Sequence, residues 1–160
     1  MVKKLKIYFD TSVPSSYYDA TAPEQTKLTK LFWQKYLKKY QPFISEATIA
    51  EIERTKDLIK HENILKLVKN FHLLKIDKDV QKIATSYLDS EIIPKNYPID
   101  ALHIACATVN KIYFLITWNI THMANPNRRK ALTEFNAKNN LFIPQLTTPQ
   151  ELIQTYEKNI

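Results

Sequence analysis

Residues 98–119 read PIDALHIACATVNKIYFLITWN. The first half, 98–109, opens on Pro98, a residue suited to a first helical turn. It is apolar nearly all round, so the helix it forms belongs in the centre of a core. IYFLIT, residues 112–117, is apolar, aromatic and β-branched, and reads as a buried strand. Two polar residues mark the ends of this unit. Asp100 falls in the first helical turn, and Asn119 follows the strand with Trp118 between.

Outward from there, the same alternation recurs. LKIYF (5–9) reads as a strand that ends at Asp10-Thr11-Ser12, with Pro14 in a following helical turn. Residues 24–40 place Leu28, Leu31, Phe32 and Tyr36 at helical spacing, and Pro42 ends that helix. PFIS (42–45) is a second strand, and Ser45 starts a helix carrying Ala47, Ala50 and Glu51. A helix over 57–70, a strand HLLKI (72–76) and a helix over 77–88 capped by Asp77 follow. Beyond Asn119 come a basic helix over 127–139, a strand LFIP (141–144) and a helix started by Thr148 and Pro149. Strands alternating with helices, with almost no hairpin signal, predict an α/β domain with a parallel sheet over 1–160. Ligands of such sheets bind beyond the carboxyl ends of the strands, where strand order reverses.

Composition narrows the chemistry. The 160 residues contain no glycine, which removes the Walker phosphate loop, the dinucleotide fingerprint and the nucleophile elbow together. The net charge of +7 suits a polyanionic partner, although a Lys-, Asn- and Ile-rich composition also follows from biased codon supply. The single cysteine, Cys106, lies in an apolar run and reads as a buried, inert thiol of a cytosolic protein. No apolar run approaches the length of a membrane span, and the N-terminus lacks the pattern of a secretory signal.

Acids beside apolar runs are costly to bury unless a cation meets them. Asp10, Glu51 and Asp100 each stand in such a setting, and a hard divalent cation would satisfy all three. Each has a plainer use. Asp10 suits a helix cap, and Asp100 suits the positive end of a helix dipole. On pattern alone Glu51 competes with Glu53, whereas Glu46 is explained by the helix start. Thr11 and Ser12 are placed to hold a carboxylate or a metal-bound water. Asn119 can coordinate through its amide oxygen, and His122 and Asn125 follow it in WNITHMAN. His103, three residues beyond Asp100, is spaced to pair with it across one turn.

Together YFDTSV, ISEATIAEI, DALHIACA and FLITWN, in this order, resemble the PIN-domain nucleases, particularly the small VapC-like proteins. The likeness covers nearly the whole chain and selects Glu51 over Glu46 and Glu53. It implies a three-layer α/β/α sandwich with a central five-stranded parallel sheet. It implies a ribonuclease that holds magnesium or manganese through Asp10, Glu51 and Asp100, with Asn119 among the catalytic residues and Thr11, Ser12, Thr117 and His122 accessory to them. It further implies a toxin of a toxin–antitoxin pair, dimeric and inhibited by a small antitoxin protein. Asn119 departs from the Asp of many relatives, and the W-N-x-x-H-x-A-N form resembles a subgroup variant.

Three functions are consistent with these residues. The first is metal-assisted hydrolysis of single-stranded or looped RNA, with Lys27, Lys30, Lys35, Lys38, Arg128, Arg129 and Lys130 available to the phosphate backbone. The second is a catalytically weak or inactive module of the same fold that grips RNA or a protein. The third, a phosphatase using Asp10 as nucleophile, wants a second Asp two residues on, where this chain has Ser12.

Overall fold

The computed structural model describes residues 2–157. Among them, β1 (Leu5–Phe9), β2 (Tyr40–Ser45), β3 (His72–Leu74), β4 (Phe114–Ile116) and β5 (Gln145–Thr147) form one five-stranded sheet in the order β3-β2-β1-β4-β5. Every pairing is parallel. The helices are α1 (Ser12–Ser16), α2 (Pro23–Leu31), α3 (Glu46–Glu53), α4 (Leu58–Val68), α5 (Lys78–Asp89), α6 (Pro98–Val109), α7 (Pro126–Lys138) and α8 (Pro149–Glu157).

The two-residue period of β1 sends side chains to opposite faces of the sheet. Ile7 and Phe9 join Val13, Phe32, Ile52, Ile64 and Leu152 under α1, α3, α4 and α8. Tyr8 joins Val80, Tyr87, Ala101, Ile104 and Leu132 under α5, α6 and α7. The expected three-layer arrangement follows. In α6 seven residues are buried, Ala101 and His103–Thr108, and the alanines among them let the helix lie close to its neighbours. Cys106 is wholly buried, and burial pushes its thiol up to about 12, so it is inert.

Several boundaries differ from the sequence reading. The helix expected over 24–40 breaks at Leu31 into a π-helical turn (Phe32–Tyr36) and a 3-10 turn (Leu37–Lys39). Phe32 and Tyr36 are both buried there, beside Phe9 and Tyr40. The last turn stops at Lys39, before Pro42, and β2 begins at Tyr40, two residues before the expected PFIS, so that Pro42 lies inside the strand rather than at its start. Its missing N–H is tolerated because β3 flanks β2 only from Phe43 onward. The strand expected at 112–117 is shortened to Phe114–Ile116. LFIP is not a strand: Leu141 N–H donates to the Asn136 carbonyl and Asn136 Nδ2 donates to the Phe142 carbonyl, each at 2.8 Å. Those bonds tie 141–142 to the end of α7, and the strand forms just after, at Gln145–Thr147. Among the described residues no helix is long and apolar enough to cross a membrane.

Candidate active site

Strand order reverses between β1 and β4, so the crevice beyond their carboxyl ends lies where Asp10 leaves β1 and Thr117 leaves β4. Asp10 is 4% exposed. Its Oδ1 accepts from the Ser12 N–H at 3.1 Å and the Ser12 hydroxyl at 2.5 Å, and its Oδ2 accepts from the Thr117 hydroxyl at 2.5 Å. Those hydroxyls are themselves fixed. Trp118 N–H donates to Ser12 Oγ and Asn119 N–H donates to Thr117 Oγ1, both at 2.9 Å. Burial pushes the Asp10 carboxyl above its usual range. The imidazole of His103 and the Ser12 and Thr117 hydroxyls pull the other way, and the charge of Glu51 adds to the rise.

Glu51 reaches the same crevice from α3. A capping box sets that helix: Ser45 Oγ accepts from Ala47 N–H, and Thr48 Oγ1 accepts from Ser45 N–H. Glu51 Oε1 accepts from the Thr11 hydroxyl at 2.7 Å and lies 2.6 Å from His103 Nε2. Burial alone would raise the Glu51 carboxyl. The hydrogen bond and charge of His103, the Thr11 hydroxyl and the charge of Arg54 outweigh it, so the group lies below its usual range and stays ionised. The two competing acids go elsewhere. Glu46 accepts from Ile76 N–H at 2.9 Å, and Glu53 is exposed.

Asp100, half-buried in the first turn of α6, accepts among the described residues only a long contact, 3.4 Å, from Asn119 Nδ2. Burial raises its carboxyl, and so does Glu51, against the opposing charges of His103, His122 and Arg128. Asn119 is not arranged as a ligand. Its amide oxygen accepts from His122 N–H at 3.1 Å and so caps the π-helical turn Ile120–Ala124. Its amide nitrogen is what faces Asp100. His122 stacks on Tyr97, with ring centroids 4.1 Å apart, and its carbonyl accepts from Arg128 Nε.

The predicted residues Asp10, Thr11, Ser12, Glu51, Asp100, Thr117 and Asn119 are thus linked at one end of the sheet, with His122 at its margin. Two further side chains belong to this network. His103 does not pair with Asp100 across the helical turn. It meets Glu51 through Nε2 and the Tyr8 hydroxyl through Nδ1, both at 2.6 Å. Tyr8 is wholly buried and also contacts Ser45 Oγ at 2.7 Å. A sequence signal existed for both: a titratable residue inside an otherwise apolar helix, and a phenol in a buried strand, each need a polar partner.

Neither Asp10 nor Asp100 forms an ion pair with a lysine or arginine among the described residues. A buried Asp10 and a half-buried Asp100 beside an ionised Glu51 fit the charge and oxygen preference of a magnesium ion. As the side chains stand, no group of three or more His, Cys, Asp or Glu among the described residues is set to hold a metal ion. Of the cations available to a polyanion, Arg129 is engaged by Glu151 through a two-pronged contact at 2.7 and 2.9 Å, and Lys130 lies 3.9 Å from Glu134. Lys27, Lys30, Lys35 and Lys38 are exposed and make no ion pair among the described residues.

The sequence matches no family model and no curated protein. Solved structures do match. VapBC-1 from nontypeable Haemophilus influenzae superposes with a TM-score of 0.59 at 14% identity, over 91% of this chain and 99% of that one. VapBC2 from Rickettsia felis, bound to a promoter DNA fragment, gives 0.55 at 14% identity, over 90% and 98%. VapC20 of Mycobacterium tuberculosis, a toxin that cleaves the sarcin-ricin loop, gives 0.56 at 13% identity, over 72% and 91%. At these identities the likeness is one of architecture, and the chain has the PIN-domain α/β/α fold of VapC toxin structures.

Proposed function

We propose that this protein is a metal-dependent endoribonuclease and the toxin of a toxin–antitoxin pair. One observation carries the proposal: Asp10 and Asp100, both raised by burial and by the charge of Glu51, share a crevice without a lysine or arginine partner among the described residues. Such an arrangement destabilises the protein unless a cation completes it. The VapC20 structure, whose protein cleaves an RNA loop, supports an RNA substrate, and the VapBC complexes support an antitoxin partner.

Asp10, Glu51 and Asp100 would hold a magnesium or manganese ion, which keeps several of its own waters. Bound there, the ion supplies Lewis-acid stabilisation of the phosphate and lowers the pKa of a water. The chain's own residues do the positioning. Ser12 and Thr117 fix both oxygens of Asp10, Thr11 steadies Glu51, and Asn119 donates toward Asp100. The exposed lysines of the α2 region offset the repulsion between an acidic crevice and RNA. A splayed single strand or loop brings its phosphate into such a crevice more readily than a duplex.

Purified protein incubated with total RNA should cleave it when magnesium or manganese is present and stop when a chelator is added. Loss of cleavage in a folded Asp10→Asn or Asp100→Asn variant is expected, and full activity in either refutes the assignment.

A second reading, a module that grips RNA or a protein without cutting, is favoured by the neutral Asn119 and by the lack of an assembled three-donor group among the described residues. Calorimetry separates the two. Manganese binding at millimolar concentration or below supports the nuclease, whereas RNA binding without manganese binding supports the module.

A further inference from the structure

We propose that His103 is a positioning residue: anchored by Tyr8 inside the sheet's core, it fixes the carboxylate of Glu51 so that one oxygen is occupied and the other is presented to a divalent cation. The inference rests on the metal-site reading of Asp10, Glu51 and Asp100.

Among the described residues Glu51 Oε1 takes both of the side chain's hydrogen bonds, from Thr11 at 2.7 Å and from His103 Nε2 at 2.6 Å. Oε2 makes no hydrogen bond among the described residues. An ionised carboxylate only accepts, so the proton in the His103 contact sits on Nε2. That leaves Nδ1 to the Tyr8 hydroxyl at 2.6 Å, and Tyr8 is in turn seated by Ser45 at 2.7 Å and Thr48 at 3.3 Å. His103 is 2% exposed and Tyr8 is 0% exposed. The chain of contacts therefore runs from the cap of α3 through the centre of β1 to α6, and back to Glu51 on α3. Each ring is locked by packing as well as by bonds, since Tyr8 and His103 also lie with ring centroids 5.6 Å apart. Ligand-supporting groups of this kind tune metal affinity by roughly 10–100-fold without touching the metal.

The contact also explains why a histidine occupies a buried face of α6. Leucine would fill the space but leave Glu51 without its main donor and take from the Tyr8 hydroxyl its shortest contact, leaving it to Ser45 and Thr48. Glutamine can present an amide N–H near the position of Nε2.

The test is manganese binding by calorimetry, with folding checked by circular dichroism. Wild type should bind manganese. His103→Leu should weaken binding about tenfold or more, and His103→Gln should recover most of that loss. In a Glu51→Gln background, His103→Leu should add little further loss, because the residue acts only through Glu51. A folded His103→Leu that binds within twofold of wild type overturns the inference, as does an equal loss in both backgrounds.

A measurement on the unaltered protein guards against variants that fail to fold. The imidazole nitrogen resonances of His103 should shift when magnesium saturates the site, and unmoved resonances overturn the inference. If wild type binds no divalent ion at millimolar concentration, the metal-site reading falls and takes this inference with it. Normal binding with indifferent His103 variants sinks the inference alone.

Discussion

At the end of β1, both oxygens of Asp10 are engaged by hydroxyls and a backbone N–H, and the side chain is 4% exposed. At the start of α6, Asp100 is half-buried and its side chain has, among the described residues, one 3.4 Å contact, from Asn119. The two acids share a crevice but not a mode of support. Asp10 is oriented by the fold itself, whereas Asp100 is held among the described residues by a single long contact. Preorganisation of one donor and latitude in another is what a cation that retains its waters can use.

Neutralising each acid in turn should give the largest effect. Asp10→Asn and Asp100→Asn should each slow RNA cleavage by about three orders of magnitude, equivalent to roughly 4 kcal/mol of transition-state stabilisation. Their effects on the metal-free fold should diverge. Burial favours the neutral form of Asp10, so Asp10→Asn should melt at a higher temperature than wild type at pH 7. Asp100→Asn should gain less, because water already reaches that side chain. Thermal melts with and without magnesium check this, and an equal gain at both positions removes the contrast.

Acid titration of stability probes the same difference with no substitution. Asp10 and Asp100 have carboxyls raised above the usual 3.8, so between that value and their folded values the native state holds more protons than the unfolded chain. Metal-free stability should therefore rise as pH falls from neutral through that window. Glu51 and Glu151 are shifted below the usual 4.5, so the stability they contribute is lost as pH falls further, through their folded values. Denaturant melts should show a maximum on the acid side of neutral. Asp10→Asn should flatten the rise more than Asp100→Asn, and saturating magnesium should abolish it.

The hydroxyls around Asp10 come next in size. Thr117→Val removes a donor to Asp10, in buried surroundings, and an acceptor for the part-buried Asn119 N–H. It should cost about 1–3 kcal/mol of stability and slow cleavage, read by denaturant melts and by the same RNA assay. Thr11→Val, at a part-buried hydroxyl whose partner Glu51 keeps its His103 contact, should cost less.

How much of this was legible in the sequence follows from range. The strand tip at Asp10, the cap at Ser45 and the buried run of α6 are written in local apolar patterns, and those elements stand where the patterns put them. Strand limits were not, because they depend on partners far along the chain. LFIP is as apolar as a strand, yet the buried Asn136 side chain on α7 takes its carbonyl, and QLT pairs with β4 instead. The site divides in the same way. Spacing and family likeness brought forward the acids, but no spacing rule reveals that His103 turns from Asp100 toward Glu51, 52 residues away. Asn119 was legible as a strand-end amide. That its oxygen would be consumed by the turn it caps was not, since the π-helical geometry of Ile120–Ala124 has no local signature in ITHMA.

The smallest expected effect comes from making Asn119 acidic, and it bears most directly on the open half of the crevice. Asn119→Asp keeps an oxygen able to cap His122 N–H, so the turn should survive. It replaces the amide donor facing Asp100 with a second carboxylate, which raises Asp100 further in the metal-free protein. Stability without metal should fall slightly, by a few tenths of a kcal/mol, because the pair is only part-buried and screened. With manganese the sign reverses: the added charge should tighten binding several-fold, while the fixed Asp10 end is unaffected. Calorimetry of the variant against wild type measures this. Unchanged affinity with lowered stability would mean that cations do not reach the Asp100 side at all, and that Asn119 serves only to cap its turn.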